Sequence, residues 1–306
     1  MGNKTEVVTD YIDPTGHLSL SRYYTSALIA SNPETTLGHN WRHSFQMSLP
    51  SGLENGNPVR FLNRPSGNSY IFRNTGSSWV PDADVAETLL PVTVGSTVVG
   101  WRAALPNNGG YEFYDANGRL DRVEYSDGDV VQAIYDGGGN LAAMTDRRGR
   151  RLVFSYAGGL LVAVTLPDGM QVKYEFDSQN LVRVFYQTTG GTTPEFLSKE
   201  YLYENSNNPA LLTAVLDETA KRYASWSYDA KGRVVSSRHG SKSGGIDLVT
   251  AVYHGATTFV RDSLGRYVEY GYQLGRGRAK LASASQLCAS CGAQSIQSRT
   301  YDAHGY

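Results

Sequence analysis

From residue 111 onwards, one short signal recurs at nearly fixed intervals and limits what the chain can become. Tyr114-Asp115, Tyr135-Asp136 and Tyr156-Ala157 stand 21 residues apart. Phe176-Asp177 follows after 20, and Tyr203-Glu204, Tyr228-Asp229 and Tyr301-Asp302 continue the series at wider spacing. Overlapping it is Asp-x-x-Gly, at Asp115–Gly118, Asp136–Gly139, Asp146–Gly149, Asp229–Gly232, Asp262–Gly265 and Asp302–Gly305. An Asp opening a turn can accept a hydrogen bond from the amide two residues on, and Gly in fourth place supplies the left-handed conformation of a bulged hairpin. A 21-residue interval holds two strands of six or seven residues and two turns. Each interval is therefore one hairpin, too small to be stable alone and obliged to pair with its neighbours.

The stretch Arg151 to Gln187 shows the unit most plainly. Met170, Val172, Tyr174 and Phe176 alternate with Gln171, Lys173, Glu175 and Asp177, which puts apolar and polar side chains on opposite faces of a strand. Three turns divide the stretch: Ala157-Gly158-Gly159, Pro167-Asp168-Gly169 and Asp177-Ser178-Gln179-Asn180. The pattern predicts an antiparallel meander with one buried face. The runs Asn205–Pro209 and Gly240–Gly245 read as insertions at loop tips.

Before residue 106 there is no clear period. Strands are predicted at Thr5–Tyr11, His17–Tyr24, Ser44–Leu49, Val59–Leu62, Ser69–Arg73, Leu90–Val94 and Thr97–Ala103. Asp13-Pro14-Thr15-Gly16 and Pro50-Ser51-Gly52 are read as turns, and Asp82–Glu87 as the one helical turn. The reading is all-β: an irregular β region over 1–105, a boundary near Pro106–Gly110, and a hairpin array over 106–306. Composition agrees, with 33 Gly for turns and 21 Tyr against 9 Phe; Tyr suits half-buried strands, where its ring packs and its hydroxyl stays wet.

Charge excludes some partners. With 28 Lys+Arg against 29 Asp+Glu, the chain has no footprint for nucleic acid or an anionic membrane. No apolar run approaches the ~20 residues of a spanning helix, and MGNKTEVVTD lacks the apolar core of a signal peptide. Any export is expected to use a signal-independent secretion system.

Candidate chemistry is sparse. His39 and His43 share a strand face, yet no third ligand stands near, so packing is favoured over metal. Cys288 and Cys291 could give half a zinc site, but a closed site needs four ligands; a disulfide or two free thiols is the favoured reading. Ser126-Asp127-Gly128-Asp129 lacks the distal Glu of a calcium loop and reads as a turn. The basic run Arg147–Arg151 reads as a solvated turn. No Gly-x-Ser-x-Gly elbow marks a nucleophile, and no motif calls for a cofactor, so no catalysis is expected. Tyr223, Trp226, Tyr228, Tyr267, Tyr270 and Tyr272 could stack against a sugar, although periodic aromatics on strands more often pack the sheet.

YDANGRL at 114–120, YDAKGRV at 228–234, RDSLGRYVEYGY at 261–272 and RTYDAHGY at 299–306 resemble the repeats of the Rhs/YD-repeat family, which includes bacterial polymorphic toxins and, in animals, teneurins. LSLSRYYTS at 18–26 and LGHNWRHSFQMSL at 37–49 are similar to the motifs that precede the repeats in bacterial members, so the resemblance covers nearly the whole chain. It implies a β-sheet ribbon spiralling into a hollow shell that encloses a C-terminal toxic domain until delivery. The partners it implies are further repeats and toxin cargo of the same polypeptide, or a secretion-system component, with an extracellular glycan-binding module as the alternative. The family's self-cleaving core, with its Asp-Pro-x-Gly-Leu motif, is not found here. The break within a new repeat at Tyr301–Tyr306 suggests a fragment, a truncated reading frame or a natural short relative.

Overall fold

The computed structural model describes residues 2–27, 35–188, 196–275, 278–287 and 294–301. Nearly all regular structure is β. The one helical element among the described residues is a single 3-10 turn, Pro106–Asn108. Compactness divides the chain into two units, Thr5–Ser198 and Met1–Lys4 with Lys199–Tyr306.

The first unit begins with a three-stranded antiparallel sheet, β1 (Thr5–Tyr11), β2 (Leu20–Thr25) and β3 (Trp41–His43). An antiparallel meander follows: β4 (Ser51–Glu54), β5 (Asn57–Asn63), β6 (Ser69–Asn74), β7 (Trp79–Pro81), β8 (Leu89–Val94), β9 (Thr97–Ala104), β10 (Gly110–Asp115), β11 (Leu120–Tyr125), β12 (Val130–Tyr135), β13 (Leu141–Asp146), β14 (Arg151–Ala157), β15 (Leu160–Thr165), β16 (Met170–Asp177) and β17 (Asn180–Thr188). Each strand pairs with the next. The second unit repeats the scheme with β18 (Phe196–Leu202), β19 (Ala214–Leu216), β20 (Arg222–Tyr228), β21 (Val234–His239), β22 (Ile246–His254), β23 (Thr257–Arg261), β24 (Tyr267–Gly275), β25 (Arg278–Leu287) and β26 (Gln294–Ser298).

In β16 the apolar alternation has its predicted effect. Val172 and Tyr174 are buried while Glu175 is exposed. The core of the first unit gathers Leu18, Leu20, Tyr24, Leu37, Trp41 and Leu49 from the N-terminal segment with Leu120, Val131, Met144, Leu152, Leu161 and Val172 from the meander; none is more than 1% exposed.

Several sequence expectations are corrected. His17–Tyr24 forms a strand only from Leu20, because His17 leaves the ladder to stack on Tyr125, ring centroids 3.7 Å apart. Ser44–Leu49 is no strand. The chain turns back directly after β3, with the Gln46 amide donating to the His43 carbonyl (2.9 Å), and only Ser48 forms isolated bridges, to Asn63 and Arg119. Its alternation reflects Phe45 and Leu49 dropping into the core. Ser51 and Gly52 open a strand rather than close one. Asp82–Glu87 holds one turn, closed by the Val85 amide on the Asp82 carbonyl (3.0 Å), and no helix. The boundary read at 105/106 falls in the connection between β9 and β10, which pair along Gly100–Ala104.

Candidate functional site

The repeating turns and the N-terminal layer laid against them are the most constructed part of the molecule. In the Asp115 turn, the Gly118 amide donates to the Asp115 carbonyl (3.0 Å) and the Asp115 amide to the Arg119 carbonyl (2.9 Å). This is a three-residue hairpin loop with Gly118 in the left-handed region, φ +85°. Asp115 Oδ1 accepts from the amides of Asn117 and Arg119, both at 2.9 Å, and Oδ2 accepts from Arg119 Nε at 2.9 Å. Burial works to raise the Asp115 carboxyl, but these donors outweigh it and hold it below the usual range. The same capping recurs at Asp136–Asn140, Asp146–Arg150, Asp229–Arg233 and Asp262–Arg266. Reading only Asp and Gly missed the fifth position, a basic or amide side chain visible in the sequence each time. It also missed Asp217–Lys221, the same loop with Ala220 at φ +59° in place of Gly. Asp168 acts differently: it stands third in its loop, beside Gly169, and its Oδ1 accepts from the Met170 amide at 3.0 Å. Asp302 and Gly305 lie outside the described residues.

The repeat tyrosine joins one strand to the next. Tyr135 Oη donates to the Leu120 carbonyl (2.7 Å), Tyr156 to Leu141 (3.1 Å), Tyr228 to Leu212 (2.5 Å) and Tyr253 to Val234 (2.5 Å). Burial pushes the Tyr135 hydroxyl up to about 12. Arg119, already held by Asp115, lies over the Tyr135 ring at 5.0 Å, and Arg233 over Tyr253 at 4.4 Å. One turn is thus tied to the following hairpin by a hydrogen bond and a cation–π contact. At the repeat tyrosine beside each loop the register slips by one residue, between Phe113/Tyr114, Ile134/Tyr135, Ser155/Tyr156 and Ser227/Tyr228. A bulge of this kind bends the strand that carries it.

In the first unit the N-terminal segment is fastened to the loops at both ends of the strands. At one end the Leu49 amide donates to the Gly118 carbonyl (2.7 Å), the His39 amide to the Gln179 carbonyl (2.7 Å) and the Leu161 amide to the Thr36 carbonyl (2.7 Å). At the other, Asp13 pairs with Arg150, and His17 Nδ1 stands 3.3 Å from Asp129 Oδ2. Between them Arg22 grips Asp10 through two hydrogen bonds, 2.6 and 2.8 Å, with both side chains fully buried. Tyr174 Oη donates to Asp10 Oδ2 (3.1 Å) and Tyr186 Oη to the Asp10 carbonyl (2.8 Å). Burial, reinforced by the Asp10 charge, raises the Tyr174 hydroxyl well above its ordinary value.

His43 is a packed side chain of this layer. Its ring faces Phe154 at 5.1 Å, its Nδ1 accepts from the Phe45 amide (3.3 Å), and burial depresses it to about 3. It borders a cleft of about 530 Å³ lined also by Phe45, Met47, Arg119, Tyr135 and Tyr156. Among the described residues no three His, Cys, Asp or Glu side chains gather as metal ligands; Cys288 and Cys291 lie outside those residues. Arg150 of the basic run is taken up by Asp146 and Asp13.

The six aromatic residues considered for sugar stacking do not share one surface. Tyr223 and Trp226, three apart on β20, point to opposite faces; Tyr223 is 55% exposed, whereas Trp226 is buried with the Lys4 ammonium 4.2 Å from its ring. Tyr228 is engaged with Leu212. On β24, Tyr267 is exposed under Arg261, while Tyr270 and Tyr272 are half-buried around a bulge at Gly271/Tyr272.

No family model and no curated protein sequence matches the chain. Among solved structures, TcdB2-TccC3 superposes on 81% of this chain at 12% identity with a TM-score of 0.40, and TcdB2-TccC3 without its hypervariable C-terminal region on 79% at 13% identity with a TM-score of 0.36. TcdB2-TccC3-Cdc42 superposes on 99% at 10% identity with a TM-score of 0.35. The chain spans 16% of the length of the first two matched chains and 21% of the third.

Proposed function

We propose that this chain is a non-catalytic structural module, a stretch of β wall from an Rhs-type secreted protein that sequesters a polypeptide cargo. The observation that carries the reading is the coupling of hairpin to hairpin, in which the Asp-x-x-Gly-Arg loop caps itself and reaches the next repeat's tyrosine. Such a unit adds to its neighbour without needing a new core. The buried polar groups support the same reading: they are spent on fastening the N-terminal layer, as Asp10 is with Arg22, Tyr174 and Tyr186. The motifs at 18–26, 37–49 and 114–120 place the resemblance where these contacts are made. Cargo would be the remainder of the same polypeptide, and the location secreted or at the cell surface; no helix among the described residues is long and apolar enough to cross a membrane.

The test is to tether an unstructured, protease-sensitive reporter after Tyr306 and compare its cleavage rate with that of the free reporter. Containment predicts slower cleavage of the tethered reporter while the chain is folded, restored to the free rate in denaturant. Equal rates under folding conditions would sink the reading. The competing glycan-binding reading draws on the exposed rings of Tyr223 and Tyr267; reproducible binding on a glycan array, lost in Tyr223→Ala, would favour it instead.

A further inference from the structure

The hairpin β8–β9 departs from every other part of the first unit. All ten residues from Leu90 to Val99 are exposed, although all but the Gly95-Ser96 turn lie in paired strands. Five of the ten are large aliphatics, Leu90 46%, Val92 37%, Val94 69%, Val98 40% and Val99 45% exposed, and the rest are Pro91, Gly95 and the hydroxyl residues Thr93, Ser96 and Thr97. They occupy both faces, since Leu90, Val92 and Val94 alternate with Pro91 and Thr93, and Val98 pairs opposite Thr93. From Thr88 to Trp101 there is no charged residue. The tip stands clear of its neighbours, because β7 meets β8 at the single pair Trp79↔Leu89 and β10 meets β9 only from Gly100 onwards.

Packed proteins rarely leave such a segment bare. A protein partner docking on a sheet needs one apolar face, and a partner adding a strand to β8 needs a regular edge. This hairpin presents aliphatic side chains on both faces, with only uncharged hydroxyls among them. Its β8 edge is broken by Pro91, which has no amide hydrogen, and by the register slip at Val92/Thr93. An environment that is apolar on every side satisfies both faces at once. At the base of the hairpin stand Trp79, half-buried, and Tyr111, 41% exposed with the Arg102 guanidinium 4.7 Å from its ring. Aromatic rings and a basic group behind an aliphatic tip match the chemistry of a bilayer's headgroup boundary.

We infer that the β8–β9 hairpin is a lipid-contacting tip that inserts Leu90–Val99 into the headgroup and upper acyl region of a bilayer. Each arm, five residues from Leu90 to Val94, extends about 17 Å, ample for the roughly 5–10 Å depth of interfacial insertion. The unpaired amides and carbonyls along its outer edges keep it at that wet boundary and out of the hydrocarbon centre. With no charge in the tip, attachment does not depend on anionic lipid. This inference stands whether or not the chain contains a cargo.

The test is flotation of the whole chain with phosphatidylcholine vesicles, for wild type, Val94→Asp and Val98→Asp. Both variants place a carboxylate at an exposed position, so their thermal unfolding should match wild type. Wild type is expected to float with the vesicles equally at low and at 0.5 M salt, about the condition that screens surface charge. Each variant should lower the partition coefficient at least about tenfold, the scale of losing one buried Val. Failure of wild type to float, or equal flotation of the variants, overturns the inference. So does a wild-type dimer that Val94→Asp converts to monomer, since a second copy would then be what covers the tip.

Discussion

Gly118 is where a repeat loop and the N-terminal layer touch backbone to backbone, so it separates the strength of the loop from that of the docking. A Cβ added there would stand 2.2 Å from the Leu49 carbonyl oxygen and 2.6 Å from its carbon. Gly149 is the control: at φ +80°, close to the +85° of Gly118, its added Cβ meets nothing within 4 Å. Gly149→Ala therefore bears the left-handed strain alone, about 1–2 kcal/mol, reduced by the roughly 0.4–1 kcal/mol that Ala gains through a less flexible unfolded chain. The net loss is about 1 kcal/mol. Gly118→Ala bears the same and must also push Leu49 away. That sacrifices the Leu49 amide bond to the Gly118 carbonyl, about 1 kcal/mol, and withdraws a fully buried leucine side chain, about 2 kcal/mol. The difference between the variants is about 3 kcal/mol. It is read by hydrogen exchange: protection of the Leu49 amide should fall about a hundredfold more in Gly118→Ala than in Gly149→Ala. Gly38→Ala, whose Cβ would meet the Gln179 carbonyl oxygen at 2.3 Å, should behave like Gly118→Ala. If Gly118→Ala and Gly149→Ala lose equal protection at Leu49, the layer is not held by this contact.

Two further perturbations address the same layer. His43 is depressed to about 3 against an unfolded value near 6.5, so on acidification the unfolded chain takes up its proton first; the stabilisation is complete above about pH 6.5 and is lost as pH falls towards 3. Between pH 7.5 and 5.0 the loss is about 2 kcal/mol, and His43→Asn, which keeps an acceptor near the Phe45 amide, should lack this component in urea titrations at the two pH values; identical pH dependence in both proteins would refute it. Arg22→Met leaves the Asp10 carboxylate buried without its guanidinium and should cost roughly 3–5 kcal/mol, while Asp10→Leu combined with Arg22→Met should recover much of that. A double variant no more stable than the single one, by chemical denaturation, would contradict the view that the uncompensated charge dominates.

The hairpin array was legible because its causes are local. Alternation in Met170–Asp177 and the turn chemistry of Asp115, Gly118, Asp229 and Gly232 act within a few residues, and there strands and loops fall close to where they were expected. The fifth loop position was equally visible, in Arg119, Arg150, Arg233 and Arg266, but its purpose emerges only when Tyr135 and Tyr253 are brought beneath the guanidinium by the next strand. What could not be read is the N-terminal layer. Ser44–Leu49 has a strand's alternation, yet its burial is dictated by Gly118 and Phe154, far along the chain. His43 was read as a packing residue, and what it packs against, Phe154, was not visible in the sequence. The aromatic set failed as a single surface because Lys4 covers Trp226 and strand parity sends Tyr223 to the other side.

The fastening of Asp10 has a consequence for the order in which the chain folds. Strands β4 to β17 each need only their immediate neighbours, so they can form as synthesis proceeds. The N-terminal layer, made first, waits for partners made last: Tyr186 bonds to Asp10 across 176 positions. At roughly 5–20 residues per second, Leu18, Leu20 and Trp41 remain without their final cover for on the order of ten to thirty seconds. Residues 1–50 are accordingly the part of this unit most in need of protection against aggregation during synthesis, and the part whose docking reports that the strands behind it are in place.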